Sequence, residues 1–160
     1  MLKKAVFAGS FDPITIGHSD IIQRALPLFD HIVIAIGTNS QKKYYFDLAQ
    51  RLSFIETAFA NEPSIEIATY TGLTVQFCRQ IGANYLLRGV RTAADFEFER
   101  TIAQLNKQLA PNIETIFWCS LTQYSHISST IVREVLANGG DISEFVPPAL
   151  AAQFRLSDKQ

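Results

Sequence analysis

The sequence predicts an α/β fold: a single domain over residues 1–160, built on a doubly wound, five-stranded parallel sheet. Three observations carry that expectation. Short β-rich runs alternate with stretches of helical period five times along the chain. The runs are mostly apolar throughout, as strands covered on both faces should be. A length of 160 residues fits one domain and leaves no room for a second folded unit of useful size.

The elements follow in order. The first strand spans residues 4–8 and meets a polar turn at Ser10, so its apolar part is too short for a signal-peptide core. Ile21, Ile22, Ala25, Leu26 and Phe29 then mark a helical stripe. The second strand, 31–36, holds the longest aliphatic run of the chain, far below the ~20 residues a bilayer span needs. Leu48, Leu52, Ile55 and Phe59 recur at i, i+4, i+7 and i+11 and predict the second helix. A third strand over 64–70 precedes a helix over 75–81, and a fourth occupies 84–87. Phe98, Ile102, Leu105 and Leu109 repeat the helical spacing until Pro111 stops it. The fifth strand spans 114–118, and Ile131, Val135 and Leu136 lie on a helix that ends at Asn138-Gly139-Gly140. Residues 141–160, with Pro147-Pro148 and an apolar 149–154, form a C-terminal helical cap within the same domain.

Composition narrows the function classes. Hydrophobic residues make up 48% of the chain and aromatics 11%, enough for a real core and too much for global disorder. Fourteen Lys+Arg against fifteen Asp+Glu leave a net charge of -1, so bulk charge gives no reason to expect nucleic acid or an anionic membrane as partner. Any anion site must be built locally. Cys78 and Cys119 form neither a C-x-x-C pair nor a disulfide framework, which fits reduced thiols and a cytoplasmic location.

Ligands of parallel sheets bind beyond the carboxyl ends of the strands. Five segments should therefore share one rim: Gly9-Ser10-Phe11-Asp12, Gly37-Thr38-Asn39-Ser40, Thr71-Gly72-Leu73-Thr74, Arg88-Gly89-Val90-Arg91 and Cys119-Ser120. In the first, a glycine directly after a buried strand lets backbone amides approach an anion, and Gly17-His18 opens the following helix. Neither the P-loop nor the dinucleotide fingerprint is present. His18 either caps the helix or aims its imidazole at what the amides bind. Arg88 and Arg91 offer planar forks to phosphate oxygens, or are neutralised by Asp95, Glu97 or Glu99. Tyr124-Ser125-His126-Ile127-Ser128-Ser129-Thr130 is a hydroxyl-rich approach to a helix, fit for capping and for phosphate alike. Lys42-Lys43 is notable only for its place on the rim.

With these blocks in view, the sequence strongly resembles the bacterial phosphopantetheine adenylyltransferases, within the nucleotidyltransferases that carry a [TH]-x-G-H signature. Here that signature is Thr15-Ile16-Gly17-His18, and the second, I-S-S-[ST]-x-[IVL]-[RK], is Ile127-Ser128-Ser129-Thr130-Ile131-Val132-Arg133. The block from Arg88-Gly89-Val90-Arg91 through Asp95-Phe96-Glu97-Phe98-Glu99 resembles the phosphopantetheine branch in particular. The resemblance implies a Rossmann-like nucleotidyltransferase fold. It implies reversible transfer of the adenylyl group of ATP to 4'-phosphopantetheine, giving dephospho-CoA and pyrophosphate, with Mg2+, as the penultimate step of CoA synthesis. It also implies a homohexamer and CoA as a feedback inhibitor. Carried over by position, Ser10, Lys42, Thr74 and Arg88 contact phosphopantetheine. Ser10, Phe11, His18, Gly89, Val90, Arg91, Glu99 and Tyr124, Ser125, His126, Ile127, Ser128, Ser129 and Thr130 contact ATP. His18 stabilises the transition state, supported by Ser10, Lys42 and Arg91; no residue is assigned to a metal.

Four departures from the family's usual pattern cover five positions. Ile16 stands where asparagine is usual, with Thr15 available to cap instead; Thr74 replaces a larger apolar residue; Tyr124 and His126 replace Trp and Phe; Ser10 replaces Thr and keeps the hydroxyl. One rival reading changes the acceptor to nicotinamide or nicotinate mononucleotide, or the donor to a cytidylyl nucleotide, and the Arg88 to Glu99 block argues against it. Another, a non-enzymatic flavodoxin-like or receiver-type module, fits the β-α units alone. A receiver needs acids clustered at its strand ends, where this chain carries mainly Gly, Thr, Arg, Cys and Ser.

Overall fold

The computed structural model describes residues 2–155. Strands β1 (Lys4–Gly9), β2 (His31–Gly37), β3 (Ile65–Tyr70), β4 (Tyr85–Val90) and β5 (Glu114–Cys119) alternate with helices α1 (Ile16–Ala25), α2 (Leu48–Ala58), α3 (Thr74–Gln80), α4 (Ala93–Leu109) and α5 (Ser129–Ala137). The strands form one parallel sheet in the order β3-β2-β1-β4-β5, the doubly wound arrangement expected.

Alternation along each strand loads both faces. On one face Ala5, Phe7, Ile32, Ile34, Ile36 and Leu87 pack with Ile21 and Ile22 of α1, Phe54 and Ile55 of α2 and Val132 of α5. On the other, Val6, Ala8, Val33, Ala35 and Leu86 pack with Val75, Phe77 and Cys78 of α3. Burial on both sides is why the strands read as continuous apolar runs. The C-terminal segment adds a short 3-10 turn at Pro148–Leu150 and a helical turn, α6 (Ala151–Phe154). Phe154 meets Phe54 and Phe46 edge-on at 5.3 and 6.0 Å, so the cap rests on α2. Its expected extent, 141–160, runs past the described residues at 156–160. Among the described residues, no helix is long and apolar enough to cross a membrane.

Two local expectations change. The fourth strand continues through Arg88, Gly89 and Val90, which pair with Phe117, Trp118 and Cys119 of β5, so these three belong to the strand and not to a loop after it. Arginine and glycine look like a strand end in sequence, but pairing to β5 alone keeps the segment extended. The stripe on α4 is real as a period, yet no residue of that helix is buried. Phe98 is 67% exposed, Leu105 54% and Leu109 53%.

Candidate active site

The site begins where the sheet order reverses. β1 and β4 pair only from Ala5↔Tyr85 to Phe7↔Leu87, whereas β1 stays with β2 to Gly9 and β4 with β5 to Val90. The two central strands splay apart beyond Phe7 and Leu87, and Arg88 Nη1 donates to the Ala8 carbonyl at 2.7 Å across the opening. A cleft of about 730 Å³ occupies this switch point. Gly89 lets α1 close on its floor, since a Cβ there would lie 2.5 Å from Ile21 Cδ1.

The turn after β1 is held from outside. Phe11 adopts a left-handed φ of 46°, and a cis Asp12-Pro13 bond follows. Three carbonyls of the turn are each taken by a side chain from another element. Arg51 of α2 donates to Ser10 O at 2.9 Å, Arg133 of α5 to Asp12 O at 2.7 Å, and Ser129 of α5 to Pro13 O at 2.8 Å. The Asp12 carboxylate, 3% exposed, accepts the backbone N–H groups of Tyr45 and Phe46 at 2.8 and 2.9 Å and so ties down the segment after β2. Remote elements thus fix the turn in which Phe11 is held in the left-handed region.

Thr15 caps α1, as its position suggested. Its side chain accepts the His18 N–H at 3.3 Å, and in return its own N–H donates to His18 Nδ1 at 3.0 Å, a capping box with histidine at the third position. That bond assigns the tautomer: Nδ1 accepts, so Nε2 carries the proton and is the ring's donor. The ring meets Phe11 and Phe7 edge-on at 5.2 and 6.1 Å. Burial, then the charges of Arg91 and Arg88, lower the His18 pKa from 6.5 to about 4, so the imidazole is neutral near pH 7. Helix capping and aiming at a ligand, the alternatives posed by the sequence, are served by different ring nitrogens.

Around His18 the cleft gathers Ser10, Phe11, Lys42, Arg88, Gly89, Arg91, Glu99, Ile127, Ser128, Ser129 and Thr130. Lys42 Nζ donates to Ser10 Oγ at 3.1 Å. Glu99 holds the Arg88 fork with both oxygens, at 2.6 and 2.8 Å, which fixes that guanidinium. Arg91 lies 3.3 Å from Asp95, while Glu97 faces solvent beside Arg100. Ser128 caps α5 through Ile131 N–H, and Ser129 is engaged with Pro13 O, so this hydroxyl string builds the wall of the cleft.

Other expected residues lie outside it. Thr74 bonds the Tyr70 hydroxyl at 2.7 Å, and Val90 is 7% exposed in the core. Tyr124 lines a separate small cavity with Ile16 and Pro147, Ser125 donates to Thr122 O, and His126 is exposed. Sequence reasoning missed Asp12 and Arg51 as buried organisers of the turn, because a charged residue carries no mark of burial. The helix stripe on α2 offered the one usable signal, since Arg51 precedes Leu52 on a helix whose neighbours Phe54 and Ile55 are core. Among the described residues, no group of three or more His, Cys, Asp or Glu side chains could hold a metal ion.

Residues 6–135 match the Cytidylyltransferase-like family. The chain is 54% identical over 149 residues to the phosphopantetheine adenylyltransferase of Flavobacterium psychrophilum, covering 93% of this chain and 98% of that protein. It is 48% identical over 143 residues to the phosphopantetheine adenylyltransferase of Porphyromonas gingivalis, covering 89% and 93%. Among solved structures, the bifunctional NMN adenylyltransferase/ADP ribose pyrophosphatase from Francisella tularensis shares the fold with a TM-score of 0.72 at 17% identity, over 91% of this chain and 45% of that one.

Proposed function

The chain belongs to the phosphopantetheine adenylyltransferases of the cytidylyltransferase-like family, and from that premise we propose that its cleft transfers the adenylyl group of ATP to 4'-phosphopantetheine under a fixed, neutral His18. The products are dephospho-CoA and pyrophosphate, and the reaction is reversible. The names of the relatives favour this acceptor over nicotinamide mononucleotide.

The observation that carries the reading is the bond from Thr15 N–H to His18 Nδ1, which leaves Nε2–H as a donor beside the opening between β1 and β4. A phosphate oxygen of the acceptor attacks the α-phosphorus of ATP. The bond from that phosphorus to the bridging oxygen breaks, and pyrophosphate leaves with the electron pair. The attacking oxygen is already ionised at neutral pH, a phosphate monoester having its second pKa near ~6, so no general base is required. What remains is to hold two anions in line and to meet the charge developing on the α-phosphate with preorganised donors. A neutral Nε2–H suits that task because it donates in every state of the reaction and releases no proton.

Ser10, Lys42 and Arg88 receive the acceptor's phosphate, and Arg91, the Gly89 edge and the α5 entrance receive ATP. Glu99 acts through Arg88, whose fork it orients. Thr74 and Tyr124 to His126 are assigned to the outer ends of the two substrates, beyond the cleft described. Mg2+ would be carried by the ATP polyphosphate, where it would offset part of the phosphate charge. CoA, which carries parts of both substrates, is a fitting feedback inhibitor. The exposed Phe98, Leu105 and Leu109 supply an apolar face for a second copy, consistent with a homohexamer in the cytoplasm.

His18→Ala tests the reading. Removing one preorganised donor costs on the order of 10²–10³ in rate, so dephospho-CoA formation should fall by that factor while ATP affinity, read by calorimetry, stays near the native value. Turnover close to native in the variant would contradict it.

A further inference from the structure

Arg51 is 2% exposed, and among the described residues no carboxylate lies within salt-bridge distance of it. A buried cation in that state is costly unless something else compensates it. Its neighbours are neutral. Nη1 donates to Ser10 O at 2.9 Å, Nε donates to Phe46 O at 3.2 Å, and the guanidinium carbon lies 3.9 Å over the Tyr44 ring. The acids of the turn and of the α2 entrance are committed elsewhere: Asp12 accepts two backbone N–H groups, and Asp47 caps α2 in a box with Gln50.

Two arginines that line the cleft differ. Arg88 is matched by Glu99 and Arg91 by Asp95. Among the described residues, Lys42 and Arg51 both bond Ser10 itself and have no carboxylate of their own, one on its hydroxyl and one on its carbonyl, while Arg133, likewise without one, holds the next turn carbonyl but one, Asp12 O. Lys42 and Arg51 also lean on the ring of Tyr44, Lys42 at 5.4 Å. Two uncompensated charges thus converge on one residue, with one of them sealed under the turn where water cannot screen it.

We propose that Arg51 is a positioning residue for the acceptor's phosphate: it fixes the Ser10 carbonyl from beneath and holds a buried positive charge that the incoming phosphate neutralises. The proposal rests on the reading that this phosphate sits at Ser10 and Lys42. Arg51 does not touch the substrate. It orients the Ser10 hydroxyl and Lys42 through the turn, and its field favours the dianion over a neutral group at the same place.

The test uses the full chain with 4'-phosphopantetheine and ATP as separate calorimetric titrants. Arg51→Met should raise the Kd for 4'-phosphopantetheine by about tenfold or more, leave that for ATP within about twofold, and Arg51→Lys should stay within about threefold of native for both. A merely structural role would weaken ATP as much as the acceptor and would not be rescued by lysine, and either result overturns the proposal. So does an unchanged acceptor Kd in Arg51→Met. If that variant lacks a cooperative melt, Arg51→Gln, which keeps a donor for one carbonyl, takes its place under the same criteria. Lys42→Ala separates the proposal from the reading beneath it. An unchanged acceptor Kd in Lys42→Ala moves the phosphate away from Ser10, whereas a loss there with none in Arg51→Met overturns the role of Arg51 alone.

Discussion

His18 is held as a neutral ring, and its surroundings make that a property of the fold. The pKa is lowered to about 4 by burial and by Arg91 and Arg88. The sign of the linkage follows: the folded protein binds a proton on this ring less readily than the unfolded chain does. The stability that the neutral ring contributes is complete above pH 6.5 and is lost as pH falls from there through about 4. Nitrogen-15 spectra of the imidazole should accordingly report the Nε2–H tautomer across neutral pH and no protonation until pH approaches 4. A midpoint near 6.5 would disprove the account of this residue. The residue itself was legible, because Gly17-His18 after a Gly-initiated turn is an unusual way to open a helix. Its tautomer was not, since that depends on where the Thr15 N–H points. Asp12 and Arg51 were illegible for a related reason: their meaning lies in carbonyls and amides supplied by segments more than thirty residues away.

At the scale of elements, the active turn is an assembly of β1, α2, α5 and the segment after β2. Asp12 is the joint between the turn and that segment, through the amides of Tyr45 and Phe46. Asp12→Ala leaves the buried Phe46 N–H and the partly buried Tyr45 N–H without their acceptor, at about 1–3 kcal/mol for the buried group and less for the other, so the chemical denaturation midpoint should drop by an amount matching about 2–4 kcal/mol. Acceptor affinity should weaken with it, because Lys42 lies in the released segment. A variant as stable as the native chain would show that the joint is dispensable. The element boundaries explain why the second signature looked like a phosphate loop. Ser128, Ser129 and Arg133 sit at one helix entrance, and two of them reach back to Asp12 and Pro13, contacts that a spacing cannot reveal. The long reach of β4 escaped notice similarly, because pairing to one neighbour only leaves no trace in hydropathy.

The whole molecule joins these parts at the reversal of strand order, where a chain of net charge -1 concentrates Lys42, Arg88 and Arg91 around the cleft with Arg51 beneath its turn. The balanced total conceals this, since Glu99 and Asp95 stand within the same region and order the arginines. The fold was readable at this scale because five apolar runs with intervening helical stripes admit few other arrangements. The exposed face of α4 was not, for periodicity marks a stripe without saying what covers it. The central claim is that this cleft joins ATP to a phosphorylated pantetheine. It is tested most directly by pyrophosphate release from ATP with 4'-phosphopantetheine or nicotinamide mononucleotide offered as sole acceptor. The account predicts rapid release with the first and background release with the second; release driven by nicotinamide mononucleotide, with 4'-phosphopantetheine inert, would contradict it.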